Sequence, residues 1–320
     1  RRGVGMAIFT YKTGVYPISL ETSTSRMVLN QDGTMQLHLG AAEIGQGGDT
    51  VFCQMAAAAT GFRFEDVHIV STQDTDVAPY DTGAYASRQS YVTGNSLRVT
   101  GQAFRGEILK YAAKLLERPL AVLEIRDSVI VDKNSGAALL SLEELAMNAF
   151  YSLTDSCHIH AECTNHQTDN TYSFGCTFAE VEVDLALGRV RIIDIINVHD
   201  SGTVINPALA GGQVEGGMAM SIGAALAEQL LYDDKGRLLN GNLLDYKLPT
   251  AVDLPDLQGD FVIKADPTGP FGNKSLGEPP IVSPAPAIRN AVFQATGVAV
   301  DSLPLSPPKL VELFREKGLI

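Results

Sequence analysis

The sequence is poor in cysteine and in basic residues, and both shortages limit what the protein can be. Its four cysteines lie at positions 53, 157, 163 and 176, and no two of them form a Cys-x2-Cys pair. Zinc knuckles and iron–sulfur clusters are usually held by thiolates at such short spacings. Lys and Arg number 24 against 37 Asp and Glu, which gives a net charge of −13. An acidic surface repels phosphate backbones and no basic run offsets it, so we expect no nucleic-acid partner.

Long apolar runs are lacking as well. The best candidate for a membrane span, residues 216–231, contains Glu228 and is better interpreted as a buried helix, so we expect no membrane partner. No signal-like apolar region follows Arg1. We therefore expect a processed or excised piece of a longer cytoplasmic protein. Its 320 residues, 45% of them hydrophobic, can form about two domains without a disulfide or metal staple.

Several common catalytic motifs are missing. There is no Gly-x-Ser-x-Gly elbow and no His-Glu-x-x-His, which argues against a serine hydrolase and a zinc peptidase. The segment "GPFGNKS" departs from a phosphate loop because Asn273 separates Gly272 from Lys274. The run "CHIHAECTNH" offers zinc-type ligands at unsuitable spacing, and we interpret it as a surface loop or a fortuitous cluster.

Two Asp-Thr/Ser-Gly triplets, at Asp81 and Asp200, raise the hypothesis of an aspartic protease. In those enzymes two carboxylates share one proton. The flanking sequence argues against it, because Asp81 follows the polar, proline-containing run "DTDVAPY" instead of an apolar strand. His199 precedes the second triplet and is expected to place a titrating cation beside such a dyad.

What the sequence does contain is an alternation of strands and helices. It predicts a hairpin turning at Asp32-Gly33, a helix over 49–60 closed by Gly61, a strand over 66–72 and a helix over 96–116. A Ser-x-x-Glu capping box at Ser141 and Glu144 opens another helix.

The second half repeats this arrangement. Two strands flank a turn at Gly188, and a glycine-rich helix follows. Two predicted helices end in the same tripeptide, Ala-Thr-Gly at 59–61 and 295–297, which favours an internal duplication. The pattern predicts an α+β fold with two lobes of mixed β-sheet and covering helices, a first lobe at 1–150 and a second at 151–320.

Three glycine-rich loops are the strongest functional signal. The loops "AAEIGQGGDT", "DTGAYASRQSYVTGN" and "AGGQVEGG" each place small residues beside a Gln or Arg ahead of a helix. Such a backbone lets an anionic, hydrogen-bonding ligand approach closely. A fourth segment, "GNKSLGEPP", sets Glu278 between Gly277 and Pro279. Since proline restricts the residue before it, we expect Glu278 to be extended and its carboxylate to be aimed by a stiff hinge.

These segments, with "NLLDYKLPT" and "KSLGEPPIVSPAPAIRNAV", resemble the C-terminal region of the large subunit of the molybdenum hydroxylases, the xanthine dehydrogenase and aldehyde oxidase family. The resemblance covers essentially the whole chain and is nearest to the bacterial xanthine dehydrogenases. It implies a fold of the molybdenum cofactor-binding domain type, with two molybdopterin-binding lobes and the Glu278 loop in the second. It also implies a part of a larger cytoplasmic oxidoreductase, inactive on its own.

The resemblance further implies which residues form the site. The cofactor is molybdopterin with its molybdenum, either as such or as the cytosine dinucleotide, and no protein side chain is implied as a metal ligand. A molybdenum-bound hydroxide attacks a purine carbon, hydride passes to a molybdenum-sulfido ligand, and Glu278 is the general base that takes the proton. The residues that match the family's cofactor contacts are Gly45, Gln46, Gly47, Ala86, Ser87, Arg88, Gln89, Gln213, Lys274 and Gly277. The sequence departs from many family members at Ile44, where they have Met.

The resemblance implies partners that the chain does not contain. Electrons are expected to leave through [2Fe–2S] clusters and FAD on other subunits or segments, because this sequence has neither the cysteine spacing nor a dinucleotide fingerprint. The preceding part of the molybdenum subunit and a homo-oligomer of the complex are also implied. Two alternatives stay open: a related hydroxylase acting on an aldehyde or another N-heterocycle, and a catalytically silent cofactor-binding module.

Overall fold

The computed structural model describes residues 1–70 and 74–320. In chain order its strands are β1 (Arg2–Lys12), β2 (Glu21–Leu29), β3 (Met35–Leu39), β4 (Val67–Val70), β5 (Leu123–Arg126), β6 (Val129–Asp132), β7 (Ala138–Ser141), β8 (His160–Gln167), β9 (Tyr172–Asp184), β10 (Arg189–Asp200) and β11 (Leu257–Phe261). Its α-helices are α1 (Gly48–Thr60), α2 (Gln89–Leu115), α3 (Leu142–Tyr151), α4 (Pro207–Leu226), α5 (Pro279–Val282), α6 (Pro284–Thr296) and α7 (Pro307–Glu316). The α+β class is as predicted.

The chain forms two compact units, and each is assembled from separated segments. Unit 1 comprises Arg1–Tyr11, Tyr172–Lys264 and Leu276–Ile320, and unit 2 comprises Lys12–Thr171 and Ala265–Ser275. This division differs from the predicted lobes at 1–150 and 151–320. The reason is strand pairing: β8 lies beyond residue 150 but runs antiparallel to β2, so the chain stays in unit 2 as far as Thr171.

Unit 1 is built on a four-stranded sheet with the order β1-β9-β10-β11. Strands β9 and β10 form the predicted antiparallel pair, with Gly188 in the left-handed region at φ 63° in the turn between them. Strand β11 lies parallel to β10. The apolar faces of α4, α6 and α7 pack with the sheet around a fully buried core that includes Val181, Ile195, Met218 and Ile288.

Unit 2 contains a four-stranded sheet, β4-β3-β2-β8, and a three-stranded sheet, β5-β6-β7. The long helix α2 packs against β2, β8 and α1. The interior of this unit holds Met27, Leu37, Phe52 and Phe104, of which none is more than 1% exposed. Burial of such large apolar side chains is the main stabilising contribution to a domain of this size.

Local sequence signals are confirmed where the cap itself is visible. The Ser141 hydroxyl accepts a hydrogen bond from the Glu144 N–H at 3.1 Å and opens α3. Helix α2 begins at Gln89, seven residues before the predicted start. Gly94 explains the early start, since a Cβ there would lie 2.6 Å from Pro270 Cγ, and tight packing overrides the low helix propensity of this turn. Of the strand predicted over 66–72, positions 71 and 72 lie outside the described residues.

The two Ala-Thr-Gly helix ends have the same geometry. Gly61 and Gly297 are left-handed at φ 88° and 77° and donate to the carbonyls of Ala57 and Phe293. In both helices the threonine hydroxyl donates to the carbonyl four residues earlier, at 2.8 Å. One such end lies in each unit, which supports the duplication inferred from the sequence.

In the described ranges 1–70 and 74–320, no helix is both long and apolar enough to cross a membrane. The same residues contain no group of three or more His, Cys, Asp or Glu side chains that could hold a metal ion. The surface-loop interpretation of "CHIHAECTNH" is wrong, because most of this segment is strand β8 paired with β2, and the fortuitous cluster is the alternative that remains.

Candidate functional site

The loop that precedes α1 is closed by a carboxylate of its own. The N–H groups of Gly45, Gly47 and Asp49 donate to the Glu43 carboxylate at 2.7, 3.1 and 3.0 Å. Burial alone would raise the pKa of Glu43, but these backbone hydrogen bonds lower it below its ordinary value. The negative charge that the N-terminus of α1 favours thus comes from the chain itself, a role for Glu43 that the motif did not reveal.

Two of the predicted site loops meet through a pair of glutamines in unit 2. Gln46 Nε2 donates to Gln89 Oε1 at 2.8 Å and to the Ala42 carbonyl at 3.0 Å. Gln46 Oε1 accepts from the Ile44 N–H at 2.7 Å, and Gln89 Nε2 donates to the same Ala42 carbonyl at 3.2 Å. The Gly45–Gly47 loop and the start of α2 are therefore held as one surface.

Arg88 lies inside unit 2, with none of its surface exposed. Its Nε donates to Glu21 Oε2 at 2.5 Å and its Nη1 to Asp81 Oδ1 at 2.7 Å. Further bonds join Nη1 to the Gly83 carbonyl and Nη2 to the Thr22 carbonyl, at 2.9 and 2.7 Å. The guanidinium is thus engaged by the chain itself, and no sequence motif indicated these distant partners.

The two residues before Arg88 have an unusual backbone. Ala86 and Ser87 have φ of 45° and 52°, in the left-handed region that residues with a side chain seldom adopt. The Ala86 carbonyl accepts from the Gly14 N–H at 2.9 Å. Strained backbone persists only where neighbouring contacts hold it, and Arg88 supplies those contacts directly after the two residues.

Lys274, the remaining predicted residue of unit 2, is buried, with 4% of its surface exposed. It belongs to the segment Ala265–Ser275. Its neighbour Ser275 accepts a hydrogen bond from the Thr13 hydroxyl at 2.8 Å, which ties the segment to the start of unit 2.

In unit 1, Glu278 stands at the N-terminus of α5, and Gly277 and Glu278 are both exposed. The expected extended conformation is wrong, since Glu278 has φ −87° and ψ −29°. The helical turn explains the difference, because the Glu278 carbonyl accepts from the Ile281 N–H at 3.1 Å. The Tyr11 hydroxyl donates to Glu278 Oε2 at 2.5 Å, a contact that no sequence motif indicated.

The short helix α5 is fixed by buried polar residues of the unit 1 sheet. Asn197 Nδ2 donates to the Pro280 carbonyl at 3.1 Å, and the Thr177 and Ser283 hydroxyls are 2.7 Å apart. Helix α4 lies against α5 so closely at Gly217 that a Cβ there would be 2.5 Å from Pro280 Cβ.

Gln213 stands one turn before Gly217 on α4 and is half-buried. Beside it, Gly211, Gly212 and Gly216 leave the helix surface open, because a Cβ at any of them would meet no atom within 4 Å. Because α4 contacts α5, Gln213 on α4 and Glu278 at the start of α5 belong to neighbouring helices of the same unit.

The aspartic-protease hypothesis has no support in this geometry. Asp81 bonds Arg88 through Oδ1 and accepts the Thr93 hydroxyl at Oδ2, so its carboxylate is committed to the structure of unit 2. One argument made against that hypothesis was nevertheless wrong. Burial lowers the pKa of His199 to about 4, so at neutral pH this residue is uncharged and places no cation beside Asp200.

Residues 1–255 match the model of the molybdopterin cofactor-binding domain. The chain belongs to this family. It is 48% identical over 322 residues to the xanthine dehydrogenase molybdenum-binding subunit of Escherichia coli O157:H7, a match that covers 100% of this chain and 43% of that protein. The chain thus spans less than half the length of this relative.

Solved structures support the same assignment. Carbon monoxide dehydrogenase from Oligotropha carboxidovorans matches with a TM-score of 0.89 and 27% identity, covering 99% of this chain and 41% of that one. Quinoline 2-oxidoreductase from Pseudomonas putida 86 matches with a TM-score of 0.89 and 28% identity, covering 98% and 42%. The fold of the molybdenum cofactor-binding domain type is therefore confirmed.

The side chains of the domain fit its cofactor. A pterin edge carries both N–H donors and N or O acceptors. The carboxamides of Gln89 and Gln213 can meet either kind, whereas Gln46, whose two amide hydrogens bond Ala42 and Gln89, can only accept through Oε1. Within the described residues, the buried Oδ1 of Asp49 accepts no hydrogen bond, so the α1 loop has an acceptor available for an N–H group. Lys274 supplies an ammonium suited to the phosphate of molybdopterin.

Proposed function

We propose that the chain forms part of the active site of a xanthine dehydrogenase-like hydroxylase, which inserts water-derived oxygen into a purine carbon with Glu278 as the general base. The observation that carries the proposal is the placement of the Glu278 carboxylate, exposed at the start of α5 and held there by Tyr11 and by the residues under the helix. The E. coli relative supports the choice of purine, since its name specifies xanthine dehydrogenase.

Each predicted residue except the buried Arg88 has a direct task in this proposal, and Arg88 supports the Ala86-Ser87 backbone. The bound molybdenum cofactor supplies the oxygen-transfer and two-electron redox chemistry. Gln46, Gln89 and Gln213 hydrogen-bond the pterin, and Lys274 balances its negative charge. Glu278 accepts the proton that is released as the water-derived oxygen bonds to carbon, which requires a base within hydrogen-bond reach. The backbone of Gly45, Gly47, Ala86, Ser87 and Gly277 forms the surfaces that the cofactor approaches.

The rest of the enzyme is proposed from the extent of the relatives. Because the chain spans 43% of the E. coli molybdenum-binding subunit, we assign the remaining substrate and cofactor contacts to other parts of the same subunit. Electrons leave the reduced metal through [2Fe–2S] and FAD partners, and the complex acts in the cytoplasm as a homo-oligomer.

Isotope labelling of the product tests the reaction class. The complete enzyme is incubated in H2¹⁸O and an electron-accepting dye with xanthine, a quinoline-type N-heterocycle and an aldehyde in separate reactions, and the products are analysed by mass spectrometry. We expect ¹⁸O in hydroxylated xanthine at the highest kcat/KM. The quinoline arm is included because quinoline 2-oxidoreductase shares the fold at a TM-score of 0.89. A higher kcat/KM for the quinoline-type compound or for the aldehyde would show that the substrate is not a purine. The absence of labelled product from a molybdenum-loaded enzyme would favour a catalytically silent cofactor-binding module.

A further inference from the structure

Tyr11 contacts the proposed base from the end of a distant strand. It lies near the C-terminal end of β1, at the edge of the unit 1 sheet beside β9, and is half-buried. Its hydroxyl donates to Glu278 Oε2 at 2.5 Å, although 267 residues separate the two in sequence. The pairing is therefore created by the fold of unit 1.

The bond is of a kind that holds a carboxylate firmly. Hydrogen bonds from a hydroxyl to a carboxylate are shorter and about twice as strong as those between neutral groups. Without such a bond, an exposed glutamate samples several rotamers and loses this freedom when it must act in one of them. A carboxylate has about four acceptor sites, and the Tyr11 bond to Oε2 takes up one of them.

The backbone that carries Glu278 is fixed by other contacts. Asn197 bonds the Pro280 carbonyl from below, and Gly217 lets α4 touch Pro280. Fixing the backbone still leaves the three side-chain torsions of Glu278 to be set. The Tyr11 hydrogen bond restricts these torsions, because it acts on the carboxylate itself.

We propose that Tyr11 is the positioning residue of Glu278, holding the carboxylate where it must accept the proton during hydroxylation. The inference rests on the proposed function, because it needs Glu278 to be the base. Small errors in the placement of a reacting group cost large factors in rate, so loss of the Tyr11 hydroxyl should reduce turnover while binding of substrate and cofactor persists.

Four variants of the complete enzyme test this assignment: Tyr11→Phe, Glu278→Gln, the double variant, and Tyr246→Phe as a matched control. Tyr246 also donates to a glutamate within unit 1, Glu228 Oε2 at 2.7 Å, but has no role in the proposed site. For each variant kcat, KM, bound molybdenum per subunit and the thermal midpoint are measured. Phenylalanine keeps the ring and removes only the hydroxyl, so misfolding is not expected.

We expect Tyr11→Phe to lower kcat about 10- to 100-fold, with KM, molybdenum content and thermal midpoint unchanged. The double variant should be no slower than Glu278→Gln alone, because both changes act on one interaction. Tyr246→Phe should retain wild-type kcat.

Three results would overturn the inference, and they differ in what they leave standing. If Tyr11→Phe has the wild-type kcat and Glu278→Gln is inactive, Tyr11 does not position the carboxylate, although Glu278 can still be the general base. Loss of molybdenum or of the fold in Tyr11→Phe shows that Tyr11 builds the site instead of positioning the base. Wild-type turnover of Glu278→Gln at full molybdenum content means that the proposed function itself has failed, and the inference with it.

Discussion

The guanidinium of Arg88 forms ion pairs with two carboxylates, from Glu21 and Asp81, whose side chains are 3% and 0% exposed. A buried ion pair of this kind gives little net stability when complete, but removal of one partner leaves an uncompensated charge in the interior. At the residue scale, Arg88 therefore supports the site by keeping the Ala86-Ser87 backbone in its left-handed conformation.

Replacing Arg88 by Met should destabilise unit 2 by about 3–5 kcal/mol, the usual cost of breaking a buried pair. The strained loop would relax, so the complete molybdenum-binding subunit should also lose bound molybdenum. Differential scanning fluorimetry and metal analysis of the purified protein measure both effects. The matched control is Arg63→Met, since Arg63 is 57% exposed in its pair with Asp66 and exposed ion pairs contribute little to stability. Equal effects of the two variants would contradict the role of Arg88.

The Glu43 carboxylate gives a prediction about pH. Its pKa is lowered in the folded chain, so its contribution to stability is present above its unfolded pKa, near 4.5, and is lost as pH falls through the folded value. Glu43→Gln should therefore lower the free energy of unfolding by about 1 kcal/mol at pH 7, a typical value for a lost helix cap. Thermal midpoints measured from pH 7 down to pH 3 should converge for the two proteins. The exposed Glu312→Gln serves as the control, and a difference that grows toward acid pH would refute the account.

At the element scale, the contact between α4 and α5 makes Gly217 the position where a single methyl group should move the proposed base. A Cβ there would lie 2.5 Å from Pro280 Cβ and 3.1 Å from the Pro280 carbonyl carbon, which is too close unless α5 shifts. Gly217→Ala should therefore lower kcat at least about 10-fold through misplacement of Glu278. Steady-state kinetics of the complete enzyme measure the effect.

Gly106→Ala is the matched control for this substitution, because a Cβ at that position of α2 meets no atom within 4 Å. Ala is favoured over Gly inside a helix by about 0.8–1 kcal/mol, so this variant should be as active as the wild type and slightly more stable. Wild-type activity in both variants would show that α5 tolerates the displacement or that Glu278 does not need its present position.

Elements with local signals could be predicted from the sequence, and those that depend on distant contacts could not. The Ser141 cap and the Gly61 helix end need only neighbouring residues, and both are confirmed. The early start of α2 depends on packing around Gly94, and the lobe boundary depends on β8 pairing with β2. The site motifs were visible in the sequence, but the partners that orient them, Tyr11 above all, are brought close only by the fold.

At the scale of the whole molecule, the chain belongs to the molybdopterin cofactor-binding domain family and spans 43% of its E. coli relative. Under the proposed function, the remaining substrate and cofactor contacts come from other parts of the subunit. We predict that the 320-residue chain, supplied with molybdenum cofactor, shows no xanthine-dependent dye reduction. The complete molybdenum-binding subunit with its partners, assayed in parallel, should be active. Turnover by the isolated chain would show that it contains the full active site.

The most direct test of the account compares the complete enzyme with its Glu278→Gln variant by xanthine-dependent dye reduction per bound molybdenum. If Glu278 is the general base, turnover should fall by about 10²- to 10⁴-fold, the usual contribution of such a group, while molybdenum content stays at the wild-type level. The exposed Glu312→Gln in the same unit should be fully active. Wild-type turnover of Glu278→Gln at full molybdenum content would contradict the account.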